Sequence, residues 1–196
     1  MFFNDFSKVF YDGFPPEMKR LVKNVVKCFP QDTYRNVSIS ASENKETYLL
    51  HNNIISFPYR VYLLEPENET VEKLNDTEKT ILHCLYSRSC NGYVREKHIQ
   101  ALLSVDFPDW SIPYIVKVCD EYVVEILQTV YENLKEKGNE AIKRFCADNW
   151  DAFCKSYNRM ISYWNEFYIN DCYRYGDSPS YLKATILALQ MFTLCY

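Results

Sequence analysis

Three sets of side chains in this 196-residue sequence have types and spacings that bear on chemistry. Glu121 and Glu125 stand four apart, so a continuous helix puts both carboxylates on one face, where such a pair shares a metal or divides acid and base roles. Lys117, Gln128 and Glu132 belong to the same strip, however, and a strip of that composition reads as a solvated edge. His83, Cys84, Cys90 and His98 are zinc-ligand types, but their spacing fits no finger or ribbon, and neighbours on a helix such as His83 and Cys84 point about 100° apart. Helical-bundle metal sites use Glu-x-x-His, which does not occur. The sequence therefore designates no metal ligand, cofactor or catalytic residue.

The third set is Arg88, Arg95 and Asp120. Arg88 follows Leu85 by three, Arg95 precedes Ile99 by four, and Asp120 lies between Val116 and Leu127, so each interrupts a face that is otherwise apolar. Buried charge must be paired. The expectation is that Asp120 meets Arg95 or Arg88 and fixes packing register; the functional alternative has an arginine facing a groove to hold a carboxylate or phosphate. Asn149 interrupts another apolar stripe and is expected to bond a neighbouring backbone group. His98, one turn from Val94 and Leu102, reads as a half-buried structural histidine.

The elements that carry these residues are mostly helical. Pro15 and Pro16 open a first helix whose apolar side is Met18, Leu21, Val22, Val25, Val26 and Phe29, ending near Pro30. Lys19, Arg20, Lys23 and Lys27 gather on its outer side. Between Tyr34 and Leu64 the period shortens to that of strands, with Asn52-Asn53 suited to the turn of a small hairpin or meander. Asn75 and Glu78 form a capping box ahead of Ile81, Leu82 and Leu85. Asn91-Gly92 ends that helix, and Val94, Ile99, Leu102 and Leu103 supply its antiparallel neighbour. A long central helix is expected from Asp109 or Ser111 to about Lys135, apolar around most of its circumference. Another runs from Gly138-Asn139 to about Tyr168, and a last one from Tyr181 to Leu194.

Tyr93-Val94-Arg95, followed by Ile99, Leu102 and Leu103, resembles the start of the second helix of a HEAT-type repeat. The resemblance covers roughly residues 74–135. In that family the arginine joins a ladder of charges, with an aspartate usual six residues earlier, where Ser89 stands here. The resemblance implies a stacked helical scaffold that binds other proteins.

Composition limits the remaining function classes. With 47% hydrophobic and 24% charged residues the chain is an ordinary globular one, and 4 glycines leave little room for a phosphate-cradling loop. A net charge of -4 gives no electrostatic footprint for nucleic acid. The 8 cysteines are irregularly spaced within helical patterns and read as reduced thiols, and no signal peptide or membrane-spanning run is evident, so a cytoplasmic location is expected.

The fold expected is mainly α: an irregular helical bundle or short HEAT-like stack with a small N-terminal β-hairpin. Residues 1–72 hold the first helix and β element, and 73–196 the helical domain. The function expected is a noncatalytic protein-interaction module, with self-association through the C-terminal helix. A helix-turn-helix DNA-binding domain built on 78–89, 94–105 and Ile112 onward is the alternative. An enzyme with a polar pocket around Arg88, Arg95, Tyr122 and His98 ranks third.

Overall fold

The computed structural model describes residues 6–30, 39–121, 123–137 and 140–167. The fold is mainly α with a small N-terminal hairpin. Two compact units divide it, Met1–His98 and Ile99–Tyr196. The division therefore falls after residue 98 and not at the 72/73 boundary expected from the sequence. The reason lies in packing: α3 (Asp76–Tyr86) lies against α1 (Lys19–Lys27), which draws it into the front unit.

In the front unit a 3-10 helix, Phe6–Gly13, precedes a 3-10 turn at Pro16–Met18 that leads into α1. Proline is tolerated there because the first turn of a helix has no use for its missing N–H. Val22, Val25 and Phe29 turn inward, where Phe29 meets Phe10 and Tyr86 edge-on at 6.2 and 5.5 Å between ring centroids. Edge-to-face geometry aligns the positive ring edge with the negative ring face.

Strands β1 (Ser40–Ala41) and β4 (Val61–Tyr62) pair antiparallel, as do β2 (Lys45–Leu50) and β3 (Asn53–Pro58). The hairpin turn is His51-Asn52, one residue earlier than expected, with φ of 49° and 64°. Two consecutive left-handed residues make the type I′ turn that matches strand twist. Tyr48, Leu50, Ile55 and Phe57 form the buried face, whereas Lys45, Thr47, Leu49 and Ile54 face water.

Asn75 caps α3 as the sequence implies: its side chain accepts from Glu78 N at 2.9 Å while the Glu78 carboxylate accepts from Asn75 N at 3.1 Å. Glu78 also accepts from Asn24 Nδ2 of α1, so the cap doubles as a clasp between two helices. A short α2 (Asn68–Glu72) precedes it, and α4 (Gly92–Leu103) follows a turn in which Asn91 Oδ1 accepts from Tyr93 N. Val61 holds that turn by donating to Arg88 O and accepting from Cys90 N, each at 2.9 Å.

In the back unit the long central helix is not continuous. α5 (Ile112–Val118) stops at Cys119, and α6 (Val124–Lys137) begins afresh. At the end of α5 Cys119 N donates to Val116 O and Glu121 N to Val118 O, bonds that reach back only three residues, so the ladder of α5 is not carried through. The next helix is likewise two pieces, α7 (Glu140–Asp148) and α8 (Trp150–Phe167), on either side of Asn149. Asn149 Nδ2 donates to Phe145 O at 2.8 Å, the backbone bond expected of it. Ile115, Val118, Ile126, Val130, Ile142 and Phe145 are buried. The helix expected over 181–194, and with it self-association through that helix, lies outside the described residues.

Candidate functional site

The charged residues that the sequence singles out occupy three different settings. Asp120 accepts from Lys117 Nζ and, at 3.0 Å, from Arg159 Nη1 of α8. Both partners belong to its own unit, which corrects the expected pairing with Arg95 or Arg88. Arg88 instead donates through Nε and Nη2 to Tyr59 O at 3.3 and 3.1 Å, below the turn that joins α3 to α4. Arg95 donates through Nη1 to Ser89 O at 2.8 Å. Both arginines thus bond backbone carbonyls, an arrangement that holds loops and fixes the α3–α4 connection.

Glu121 and Glu125 do not share a helical face, because the break after α5 separates them. Glu121 is 2% exposed, whereas Glu125 opens the first turn of α6 and faces water. Lys117, placed by sequence on a solvated strip, is also 2% exposed. A periodic reading loses its phase where the helix ends, which accounts for Glu121, whereas Lys117 is buried because α5 is buried on every side.

The front unit joins two members of the zinc-type set, His83 and His98, to Glu65, which the sequence does not single out. His83 of α3 and His98 of α4 bring their Nδ1 atoms to 2.8 Å, and His98 Nε2 lies 3.0 Å from Glu65 Oε1. Lys97 Nζ donates to the same carboxylate oxygen at 2.6 Å. Tyr86 stacks on His98 at 4.8 Å, and its hydroxyl donates to Leu64 O at 2.5 Å, so the segment that carries Glu65 is tied to the ring that faces it.

Burial sets the protonation of this cluster. It lowers His83 to about 4, with His98, Lys97 and Lys79 adding repulsion of the cation. Burial also lowers His98, against the opposing pull of Glu65. Burial alone would raise Glu65, but hydrogen bonds from Lys97 and His98 leave its carboxyl below the ordinary range. At neutral pH the cluster is therefore a carboxylate and two neutral imidazoles.

The partners then dictate the tautomers. An ionised Glu65 only accepts, so His98 carries its proton on Nε2 and offers the Nδ1 lone pair. His83 must donate from Nδ1 to that lone pair. Its own Nε2 keeps a lone pair with no hydrogen bond among the described residues, and the side chain is partly exposed. The chain matches no family model, no curated protein and no solved structure.

Cys84 and Cys90 do not join the histidines. Among the described residues no group of three or more His, Cys, Asp or Glu is disposed to hold a metal ion. Burial pushes the Cys84 thiol well above its ordinary range, which leaves it inert as a nucleophile. Tyr122, the remaining member of the expected Arg88/Arg95 pocket, lies outside the described residues.

A second feature of the front unit is open to solvent. Tyr11, Asp12, Phe14, Pro16 and Lys19 face Asn53–Ser56 of β3 across a cleft of about 290 Å³. Beside it the hairpin tip presents Leu49 and Ile54, directly opposed in register and 39% and 74% exposed. In a two-residue hairpin the 50/53, 48/55 and 46/57 pairs exchange the ladder bonds, so the backbone groups of Ile54 and Ser56 point away from β2. Asp12 is 3.6 Å from Lys45, while Lys19 has no ion pair among the described residues.

Proposed function

We propose that the chain is a noncatalytic protein-interaction module that docks a partner at the hairpin tip and the adjoining cleft. The single observation that carries this reading is the Leu49–Ile54 pair, an apolar cross-strand couple left in water beside a cleft large enough for an apolar side chain. Burying such a pair gives a partner a compact anchor, and the outward backbone groups of β3 supply direction. Lys19 at the rim, with Arg20 and Lys23 exposed further along α1, favours a partner segment in which a carboxylate flanks the apolar anchor.

Other features agree with a binding role in a reducing, cytoplasmic setting. Cys28, Cys84, Cys90, Cys119, Cys146 and Cys154 are all free thiols, and no helix among the described residues is long and apolar enough to cross a membrane. All seven residues of α5 are buried, so the DNA-binding alternative lacks a recognition face at Ile112 onward. The HEAT-like reading of residues 74–135 stays a proposal, supported by one contact: Arg95 bonds the carbonyl of Ser89, the residue standing at the ladder's usual aspartate position.

Selection of displayed peptides against the full chain tests the reading. Binders should carry an apolar residue next to Asp or Glu, protect the amides of Ile54 and Ser56 from hydrogen exchange, and weaken more than tenfold against Ile54→Asp. Binders that protect only other parts of the chain, or none at all after exhaustive selection, would overturn it.

A further inference from the structure

The Glu65–His98–His83 chain has an order that a merely structural cluster does not require. The two hydrogen bonds share one direction, His83 Nδ1–H to His98 Nδ1 and then His98 Nε2–H to Glu65 Oε1, so a buried ring links a partly exposed imidazole to a partly exposed carboxylate. Among the described residues the ring nitrogen of this pair without a hydrogen bond is His83 Nε2, on a side chain that is partly exposed. An imidazole nitrogen becomes a better nucleophile when the proton on the opposite nitrogen has an acceptor ready to take it. Here that acceptor is a neutral imidazole braced by a carboxylate. Two cations, Lys79 one turn earlier on α3 and Lys97 on α4, lie near enough to act electrostatically on His83.

We propose that His83 Nε2 is a phosphoryl-accepting nucleophile, activated by His98 and Glu65 and assisted by Lys79. The donor class is a small phosphoramidate or acyl phosphate. With phosphoramidate, whose nitrogen is already protonated in the reacting form, the Nε2 lone pair forms the new nitrogen–phosphorus bond as the donor's own phosphorus–nitrogen bond breaks, and the nitrogen leaves with that electron pair as neutral ammonia. The Nδ1 proton of His83 passes to His98 Nδ1. His98 becomes an imidazolium held against Glu65, and the phosphoryl group carries its negative charge toward Lys79. Because burial keeps His83 neutral down to about pH 4, the lone pair is available throughout the neutral range.

The molecule contains its own reference, since His51 sits exposed in the hairpin turn. The full chain is incubated with potassium phosphoramidate at pH 7. Labelling is followed by phosphorus NMR and by mass spectrometry under alkaline conditions, which preserve phosphohistidine. His83 should label at Nε2 at least tenfold faster than His51. His98→Phe keeps an aromatic ring against Tyr86 but removes the proton acceptor, and should lower the His83 rate to that of His51 while leaving His51 unchanged. Should that variant fail to fold, Glu65→Gln and the ratio in the unmodified chain still decide the matter. Equal rates at the two histidines, labelling of His83 at Nδ1, or a ratio untouched by both substitutions would each overturn the proposal.

Discussion

The front and back units each bury a polar cluster, and the two are built on opposite principles. In the back unit Asp120 is ionic: Lys117 and Asp120 are nearly inaccessible, and Arg159 closes the pair from a more exposed position. In the front unit the His83–His98 contact is between neutral rings, and the ionised pair, Glu65 with Lys97, lies closer to the surface. Charges in the interior must cancel and so spend their hydrogen-bonding capacity on one another. Neutral imidazoles can leave one nitrogen over. The ionic cluster is therefore read as structural, and the neutral one has chemistry to spare.

The sharpest way to break this comparison is to remove Asp120. Asp120→Ala removes the buried carboxylate that Lys117 and Arg159 share, and the expected loss is about 3–5 kcal/mol in denaturant unfolding of the full chain. Replacing both buried partners, Lys117→Met with Asp120→Leu, should recover most of that loss, because breaking a buried pair costs more than replacing it with apolar groups. A loss below about 1 kcal/mol for the single variant would mean that Lys117 reaches water, and the contrast between the clusters would dissolve.

The front cluster should respond to acid. The unfolded chain takes up a proton at His83 near pH 6.5, the folded chain only at about 4. Between those values the unfolded state binds more protons, so stability is flat above pH 6.5 and falls as the pH drops through the window. The expected fall is on the order of 3 kcal/mol by pH 4. His98, also lowered by burial, adds loss in the same direction, and Glu65, lowered by its hydrogen bonds, adds more as the pH drops through its own range. His83→Gln, whose amide donates to His98 without titrating, should flatten the window. A profile unchanged by that substitution would place the acid sensitivity elsewhere.

The capping box gives a smaller and more local effect. Asn75→Ala removes the acceptor for Glu78 N and is expected to cost about 1 kcal/mol, read in the unfolding of the front unit. Glu78→Ala should cost more than an isolated cap residue, since it also loses the bond from Asn24 on α1.

These cases mark where the sequence is legible. Asn75 with Glu78, Asn149 with the carbonyl four residues back, and the hairpin are local patterns, set by residues within a turn or two of each other. His83 and His98 are 15 residues apart and Glu65 is 33 before His98, so nothing in local spacing announces their meeting. The signal available was a polar residue on each of two helices joined by a short connection, which is also the arrangement that packs their faces together. Asp120 failed for a different reason. The sequence implies its burial, but the polar strip drawn through Lys117, Glu121 and Glu125 assumes one continuous helix with a wet side, and α5 has none.

Glu125 offers the weakest perturbation and a test of that phase argument. If α5 and α6 were one helix, Glu121 and Glu125 would stack on one face, and neutralising either would relieve repulsion from the other. With the break, Glu125 stands exposed at the start of α6, where a carboxylate complements the helix dipole. Glu125→Gln should therefore lower stability slightly, by no more than about 0.5 kcal/mol, and the loss should shrink as salt screens the dipole. A gain in stability that salt abolishes would instead be the signature of two carboxylates in contact and would restore the continuous helix.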